Sequence, residues 1–506
     1  MRKRVTVLAV LAAAAFSLVL GGQTGAAAPG TPKASWSPCF RDQGPYECST
    51  VQVPLDYDSS DGGAISLSLV RLPASDPSRR IGSLFVNPGG PGGSGVDMVV
   101  FGGPFLFTDE VRARFDLVGF DPRGIIRSSA FRCFGNDKQW EPFFTPLAFP
   151  STPAEEEIWK AADRYLDGAC AQRGARIGEH MSTANVARDL DMLRQAVGDE
   201  ALTYVGYSYG SFLGVTYANL FPDRVRALVV DGVLDPIAWT TGSGNQGSTL
   251  PFSTRLHSDI GAQATLDEFF RLCDTGTCAF GPGSAARFAA LGERLKADPS
   301  IINYSQLIGM TLSAMYDSSS WEDFAQLLAD LDAATAPTAA LRTRVQAFQA
   351  RPLYIAKRGF PRYPNFLEGF PAVACADSDN PSSYAAWSTA AATSFGTFGP
   401  IWTWASSICA EWPAGDSDRY MGPFTARTAK PVLVVGNYFD PATRYEGAQT
   451  VAGLLPNSRL LTVDGWGHTS LFISQCADQA VSTYLLTSAT PPAGTVCPVD
   501  SVPFHR

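Results

Sequence analysis

The sequence predicts an α/β protein whose mostly parallel central sheet carries one large helical insertion. Three observations support this. Short apolar runs alternate with helical patterns in the first half of the chain and again at its end, and strands joined through helices pair in parallel with both faces covered. Residues 238–428 break the alternation, with helical spacing dominating throughout. A Gly-x-Ser-x-Gly stands where one apolar run passes into a helix, a strand-to-helix turn of the kind that presents a serine hydroxyl.

The elements follow in chain order. Met1-Arg2-Lys3-Arg4 is a basic start, Val5 to Leu20 is apolar and rich in Ala and Leu, and Gly25-Ala26-Ala27-Ala28 supplies small residues for cleavage. Residues 1–28 therefore read as a secretory signal peptide. The apolar run is short for a membrane span, so the mature chain is expected outside the cell with no stable membrane association. Residues 29–35 are a Pro/Gly/Ser-rich leader. Ile65-Ser66-Leu67-Ser68-Leu69 alternates as a half-buried strand does. Ser83-Leu84-Phe85-Val86 runs into a glycine-rich loop, and Phe115 to Phe120 ends at Asp121-Pro122-Arg123-Gly124. Val186, Leu190, Leu193 and Val197 predict a helix from Asn185 to Val197, with Asn185 as its N-cap. Ala201 to Val205 is the strand before the serine, the helix after it begins at Ser211, and Ala227 to Val230 is the next strand, ending at Asp231-Gly232. In the insertion, Trp321 to Leu331 places Phe324, Leu327, Leu328 and Leu331 at helical spacing, and strands resume at Pro431. The expected organisation is a core of 36–237 and 429–506, with 238–428 as a helical lid.

Composition sets limits on function. The chain has 506 residues, 45% hydrophobic and 17% charged, enough for a large core. Its formal charge is −9, and loss of the three basic residues in 1–28 takes it to −12. No basic run remains, which excludes nucleic acid as a partner. Cys39, Cys48, Cys133, Cys170, Cys273, Cys278, Cys375, Cys409, Cys476 and Cys497 form an even set behind an export signal, as in disulfide-bonded secreted proteins. Ten cysteines allow on the order of 900 pairings, and the sequence does not choose among them. Pairing of neighbours (39–48, 133–170, 273–278, 375–409 and 476–497) is the expectation, because each couple brackets a local loop. With no Cys-x-x-Cys and four histidines, no metal site is expected, and no cofactor.

The serine motif is Gly206-Tyr207-Ser208-Tyr209-Gly210. A serine hydroxyl becomes a nucleophile only when it is presented exposed and its proton is removed. Two later blocks supply what it needs: Val432 to Asp440 is an apolar strand ending in an acid, and Leu460 to His468 is a strand followed by a glycine-flanked histidine. The order Ser208, Asp440, His468 is that of the α/β-hydrolase fold, and the 28 residues from acid to base leave room for one helix and one strand. His468 is the expected base, taking the serine proton and giving it to the leaving group. His180, His257 and His505 stand in no strand-end loop of the right order. Asp440 is the expected partner of the imidazole, with Asp464 and Asp231, at other strand ends, as rivals. For the oxyanion, one N–H is expected from Tyr209 and the other from Gly90, with Gly89 next. Pro88 and Pro91 have no N–H to give. The glycine loop lacks the Gly-Lys-Ser/Thr of a phosphate-binding loop.

Together Val53-Pro54-Leu55-Asp56-Tyr57, Asn87-Pro88-Gly89-Gly90-Pro91-Gly92-Gly93-Ser94-Gly95, Asp121-Pro122-Arg123-Gly124, the Ser208 motif, Asp231-Gly232-Val233, Asp440-Pro441-Ala442-Thr443 and Gly465-Trp466-Gly467-His468 resemble the secreted bacterial tripeptidyl aminopeptidase family, within the proline-iminopeptidase-like α/β-hydrolases. The resemblance spans nearly the whole mature chain. It implies a serine exopeptidase that takes tripeptides from free N-termini through an acyl-enzyme. Ile125-Ile126-Arg127-Ser128 departs from it, in a loop bordering the site, where the family has a glycine or other small residue before a polar one. An aminopeptidase also needs an anion for the substrate amine, and Glu368 and Asp377 are the candidates. Trp402 and Trp404 are candidates for subsite walls, or plain core. A carboxylesterase or acyltransferase would use the same triad. A non-catalytic binding protein would have lost one of its members. With His468 as base, activity rises with pH through about 6 to 7.

Overall fold

The computed structural model describes residues 32–59, 62–174, 176–349 and 364–505. The expected signal peptide and residues 29–31 of the leader lie outside the described residues. The sheet has ten described strands: β1 (Ser37–Pro38), β2 (Glu47–Pro54), β3 (Ala64–Leu72), β4 (Gly82–Asn87), β5 (Phe115–Phe120), β6 (Leu202–Tyr207), β7 (Val225–Asp231), β8 (Val432–Phe439), β9 (Ser458–Trp466) and β10 (Val496–Pro498). Their order is β1-β2-β3-β5-β4-β6-β7-β8-β9-β10. β1, β2 and β3 pair antiparallel at one edge, and every pair from β5–β4 to β9–β10 is parallel. All residues of β4, β5 and β6 are buried, which is why these runs are continuously apolar rather than alternating.

Helices cover both faces. The ones used below are α1 (Pro153–Arg173), α2 (Thr183–Ala196), α3 (Tyr209–Leu220), α4 (Ser258–Thr275), α5 (Tyr304–Met315), α6 (Trp321–Ala333), α7 (Phe366–Asp377), α8 (Tyr445–Leu454) and α9 (Gln475–Thr487). Phe85, Val118, Tyr204 and Leu228 turn to one face and pack with Leu190, Leu193 and Phe212 of α2 and α3. Leu84, Val86, Leu117, Val205 and Val229 turn to the other and pack with Tyr484 and Leu485 of α9. Between β7 and β8 the chain is helical, with a core of its own built on Phe269, Trp321, Phe324, Leu328, Trp387 and Phe398. Trp404 is buried in that core, and half-buried Trp402 packs against it.

One cap differs from the expectation. α2 begins at Thr183, and its N-cap is Ser182, whose side chain accepts from Asn185 N. Asn185 sits in the first turn and gives its Nδ2–H to Asp416 Oδ2 at 3.0 Å. Both types cap well, and the serine three residues earlier took the position.

Two motifs of the resemblance are structural. Arg123 is fully buried. Its Nε and Nη2 donate to Asp189 Oδ2 and Oδ1 at 2.7 and 2.6 Å. Its remaining donors reach the carbonyls of Leu55 at 2.8 Å, His180 at 3.1 Å and Pro54 at 3.1 Å. The bidentate fork satisfies a buried charge and ties Asp121-Pro122-Arg123-Gly124 to Val53-Pro54-Leu55. The ten cysteines form five disulfides, Cys39–Cys48, Cys133–Cys170, Cys273–Cys278, Cys375–Cys409 and Cys476–Cys497. No helix among the described residues is long and apolar enough to cross a membrane.

Candidate active site

Ser208 stands between the end of β6 and the start of α3 at φ 57° and ψ −128°, a region costly for a residue with a Cβ. Its N–H donates to Asp231 O at 2.9 Å. The flanking glycines are forced by close approach of backbones. A Cβ on Gly206 would lie 2.1 Å from Gly210 O, and one on Gly210 would lie 2.8 Å from Asn87 O. Ser208 is thus held at the carboxyl edge of the sheet, where α/β folds place ligands.

Asp440 follows β8 and is buried. It accepts from Ala442 N at 2.9 Å, Thr443 N at 2.8 Å, Thr443 Oγ1 at 2.9 Å and Thr469 N at 3.2 Å. His468 follows β9, and its Nδ1 lies 3.0 Å from both Asp440 oxygens. That contact assigns the proton to Nδ1 and leaves the Nε2 lone pair free to act as a base. The imidazole is fixed from outside as well: His468 N donates to Tyr316 O at 2.9 Å, and the two rings meet edge to face at 5.1 Å. A Cβ on Gly232 would meet His468 Cε1 at 3.2 Å. Gly232 follows Asp231, the acceptor of the Ser208 N–H, so the base stands over the strand end beside the serine.

The electrostatics match the geometry. Burial opposes the charged form of Asp440, but the facing imidazole, its hydrogen bond and the N–H groups of Thr443 and Ala442 outweigh burial and hold the carboxyl below its usual range. Burial also opposes an imidazolium at His468, yet Asp440, and then Asp231, raise its pKa above 6.5. Asp231 binds Ser470 N at 3.0 Å and Ser470 Oγ at 2.7 Å, and burial pushes its pKa up to about 6. Asp464 is exposed on β9. Of the three acids only Asp440 makes the imidazole hydrogen bond.

The glycine loop lies against the serine turn. A Cβ on Gly89 would stand 2.4 Å from Tyr207 O and 2.8 Å from both Ser208 Cβ and Tyr209 N. Gly89 N donates to Asn87 Oδ1 at 2.9 Å, which commits that N–H and leaves Gly90, at φ 109°, as the loop's candidate donor. Tyr209 is the first residue of α3, where a helix has N–H groups without intrahelical partners. Its hydroxyl bonds Thr183 Oγ1, which in turn donates to Asp377 Oδ2 at 2.6 Å.

Glu368 and Asp377 lie on α7, both buried. Asp377 accepts from Thr183 N at 2.8 Å, from Thr183 Oγ1 and from Trp239 Nε1 at 3.3 Å, and burial raises its pKa to about 7. Glu368 Oε1 accepts from Cys133 N at 3.3 Å. The turn after Glu368 packs on the glycine loop: a Cβ on Gly92 would lie 3.3 Å from Gly369 C. The departing loop is tied to the same helix. Ile126 is left-handed at φ 42°; its N–H donates to Asn365 Oδ1 at 2.8 Å, and Asn365 Nδ2 donates to Gly124 O at 2.7 Å and Phe131 O at 2.6 Å. Asn365 and Tyr316 carry no signal in the sequence, and Thr443 enters there only within Asp440-Pro441-Ala442-Thr443. Only Thr443 had a signal, an Asp-x-x-Thr turn whose hydroxyl reaches back to the acid. Among the described residues, Asp56, His180 and Asp418 bring possible metal ligands within 4.8 Å of one another, and no hydrogen bond joins them to the serine site.

A strained serine, a buried aspartate–histidine pair and a glycine loop on one sheet edge define the class as serine hydrolase. Residues 82–255 match the family described as alpha/beta hydrolase fold, and residues 393–497 match the one described as TAP-like protein. The chain is 32% identical to the serine protease Hip1 of Mycobacterium tuberculosis, over 97% of this chain and 96% of that protein. It is 32% identical to the tripeptidyl aminopeptidase of Streptomyces lividans, over 92% and 87%. It is 33% identical to carboxylesterase B of Mycobacterium tuberculosis, over 94% and 92%. The chain belongs to the TAP-like α/β-hydrolase family and is a serine hydrolase.

Proposed function

We propose that this protein is a secreted exopeptidase that removes tripeptides from free N-termini, with Ser208, His468 and Asp440 as its triad. The observation that carries the reading is the His468 Nδ1 contact with buried Asp440 at 3.0 Å, beside a serine held at φ 57°. His468 Nε2 takes the Ser208 proton as Oγ attacks the scissile carbonyl. The oxyanion accepts from Tyr209 N–H and Gly90 N–H. The imidazolium, held by Asp440, then gives its proton to the leaving amine, and water repeats the sequence on the acyl-enzyme. Peptide as substrate class follows from the family, and tripeptide release from the relative named for it. The five disulfides support an oxidising destination.

The amine anchor falls to Glu368 in this reading, because it precedes the turn packed on the glycine loop. Since Glu368 is buried, a substrate amine reaches it only when the first turn of α7 shifts. The second reading, a carboxylesterase, rests on the relative of that name. Hydrolysis of Ala-Ala-Ala-anilide and its N-acetyl form separates the two. Cleavage of the free-amine form alone supports the exopeptidase, with Glu368→Gln narrowing the difference. Turnover of an aryl ester with neither anilide cleaved makes the esterase the function.

A further inference from the structure

His468 lines a cavity of about 650 Å³. The helical insertion contributes Tyr316, Asp317 and Glu322 to its wall, the segment after the histidine contributes Phe472, and the C-terminal tail contributes Asp500. Nδ1 of the imidazole is taken by Asp440, so the leaving nitrogen must receive its proton from Nε2. The chain that follows the scissile bond starts at that nitrogen. The space that His468 borders therefore adjoins the start of that chain.

Acids dominate the charged side chains of this wall among the described residues. Among the described residues, three carboxylates line it and no Lys or Arg does, with His505, Tyr316 and His468 as the other ionisable groups there. Two of the acids are fixed in position. Asp317 Oδ1 accepts from Ser319 N at 2.9 Å and Ser319 Oγ at 2.6 Å, and Asp500 accepts Gln475 N at 3.0 Å. Glu322 is exposed in the first turn of α6, facing the same space. A cleft walled by one sign of charge attracts the opposite sign, and the stems of Lys and Arg also cover apolar surface, here Tyr316 and Phe472.

We infer that this cavity holds the leaving side of the substrate and selects polypeptides with Lys or Arg in the first residues after the scissile bond. The inference rests on the exopeptidase reading, and it adds a specificity determinant on the side of the bond opposite the free amine.

The test uses two free-amine peptides, Ala-Ala-Ala-Lys-Lys-Ala and Ala-Ala-Ala-Glu-Glu-Ala, with kcat/KM read by mass spectrometry of the released Ala-Ala-Ala. The wild type is expected to favour the Lys peptide by about fivefold or more in low salt, since several partly exposed carboxylates act together. That preference shrinks at about 0.5 M salt, where screening is short-ranged. In Glu322→Lys the Lys:Glu ratio falls at least about threefold. A ratio near one in low salt, with both peptides cleaved, overturns the inference while leaving the exopeptidase standing. So does a Glu322→Lys enzyme whose changed ratio is that of free-amine to N-acetyl Ala-Ala-Ala-anilide, because the acids would then serve the amine side. If neither peptide nor anilide is cleaved, the exopeptidase reading falls and this one with it.

Discussion

Asp189→Asn isolates the charge of the Arg123 cluster from its shape. The variant keeps the volume of the side chain but leaves the guanidinium without its bidentate carboxylate, in a site where both side chains are 0% exposed. Removing one partner of a buried ion pair costs about 3–5 kcal/mol, because the remaining charge stays desolvated. At about 2.1 cal/mol/K per residue, the roughly 475 residues from Pro32 to Arg506 unfold with an entropy near 1 kcal/mol/K, so the melting temperature should fall by about 3–5 °C. Differential scanning calorimetry at one scan rate measures it, alongside kcat/KM for an anilide at 25 °C. Arg123 touches Asp189 and three carbonyls rather than the triad, so turnover per folded molecule should stay within about twofold of wild type. An unchanged melting temperature, or an activity loss without a melting shift, refutes the assignment of Asp121-Pro122-Arg123-Gly124 as a structural tie.

Three further outcomes follow from the same contacts. Asp440 raises the pKa of His468, so kcat/KM should rise with pH through a midpoint above 6.5; Asp440→Asn should move that midpoint down and lower kcat by about 10⁴-fold, as read from pH–rate profiles. Gly89→Ala would push a methyl to within 2.8 Å of Ser208 Cβ at φ 90°, and its kcat should drop by about 10²-fold or more if it displaces the oxyanion donors. Cys375→Ser opens a loop of 34 residues that joins α7 to Cys409, and denaturant titration should show a loss of about 3–4 kcal/mol.

The sheet and the site were legible to different degrees. β4, β5, β6, β7, β8 and β9 could be read because apolar runs of this length bounded by glycine have few other uses, and the chemistry sits at their ends. The order Ser208, Asp440, His468 fixes which strand ends must meet, so the three could be proposed together. Short-range choices were harder. Ser182 and Asn185 are both good caps three residues apart, and only the first turn's packing against Asp416 decides between them. Gly89 and Gly90 look alike in a glycine loop, and the Asn87 side chain that occupies one N–H has no sequence signal. Glu368 and Asp377 could be picked as acids of the right region, but burial and the Thr183 and Trp239 bonds of Asp377 depend on contacts across roughly 140–190 residues. The cavity beside His468 was invisible for the same reason, since its wall comes from α6, the segment after the histidine and the tail.

The most direct test of the account is active-site labelling with a fluorophosphonate, followed by mass spectrometry of the digested protein. The account predicts one adduct, on the peptide carrying Ser208, absent in Ser208→Ala and formed far more slowly in His468→Ala. Label on another residue, or undiminished labelling of Ser208→Ala, would contradict it.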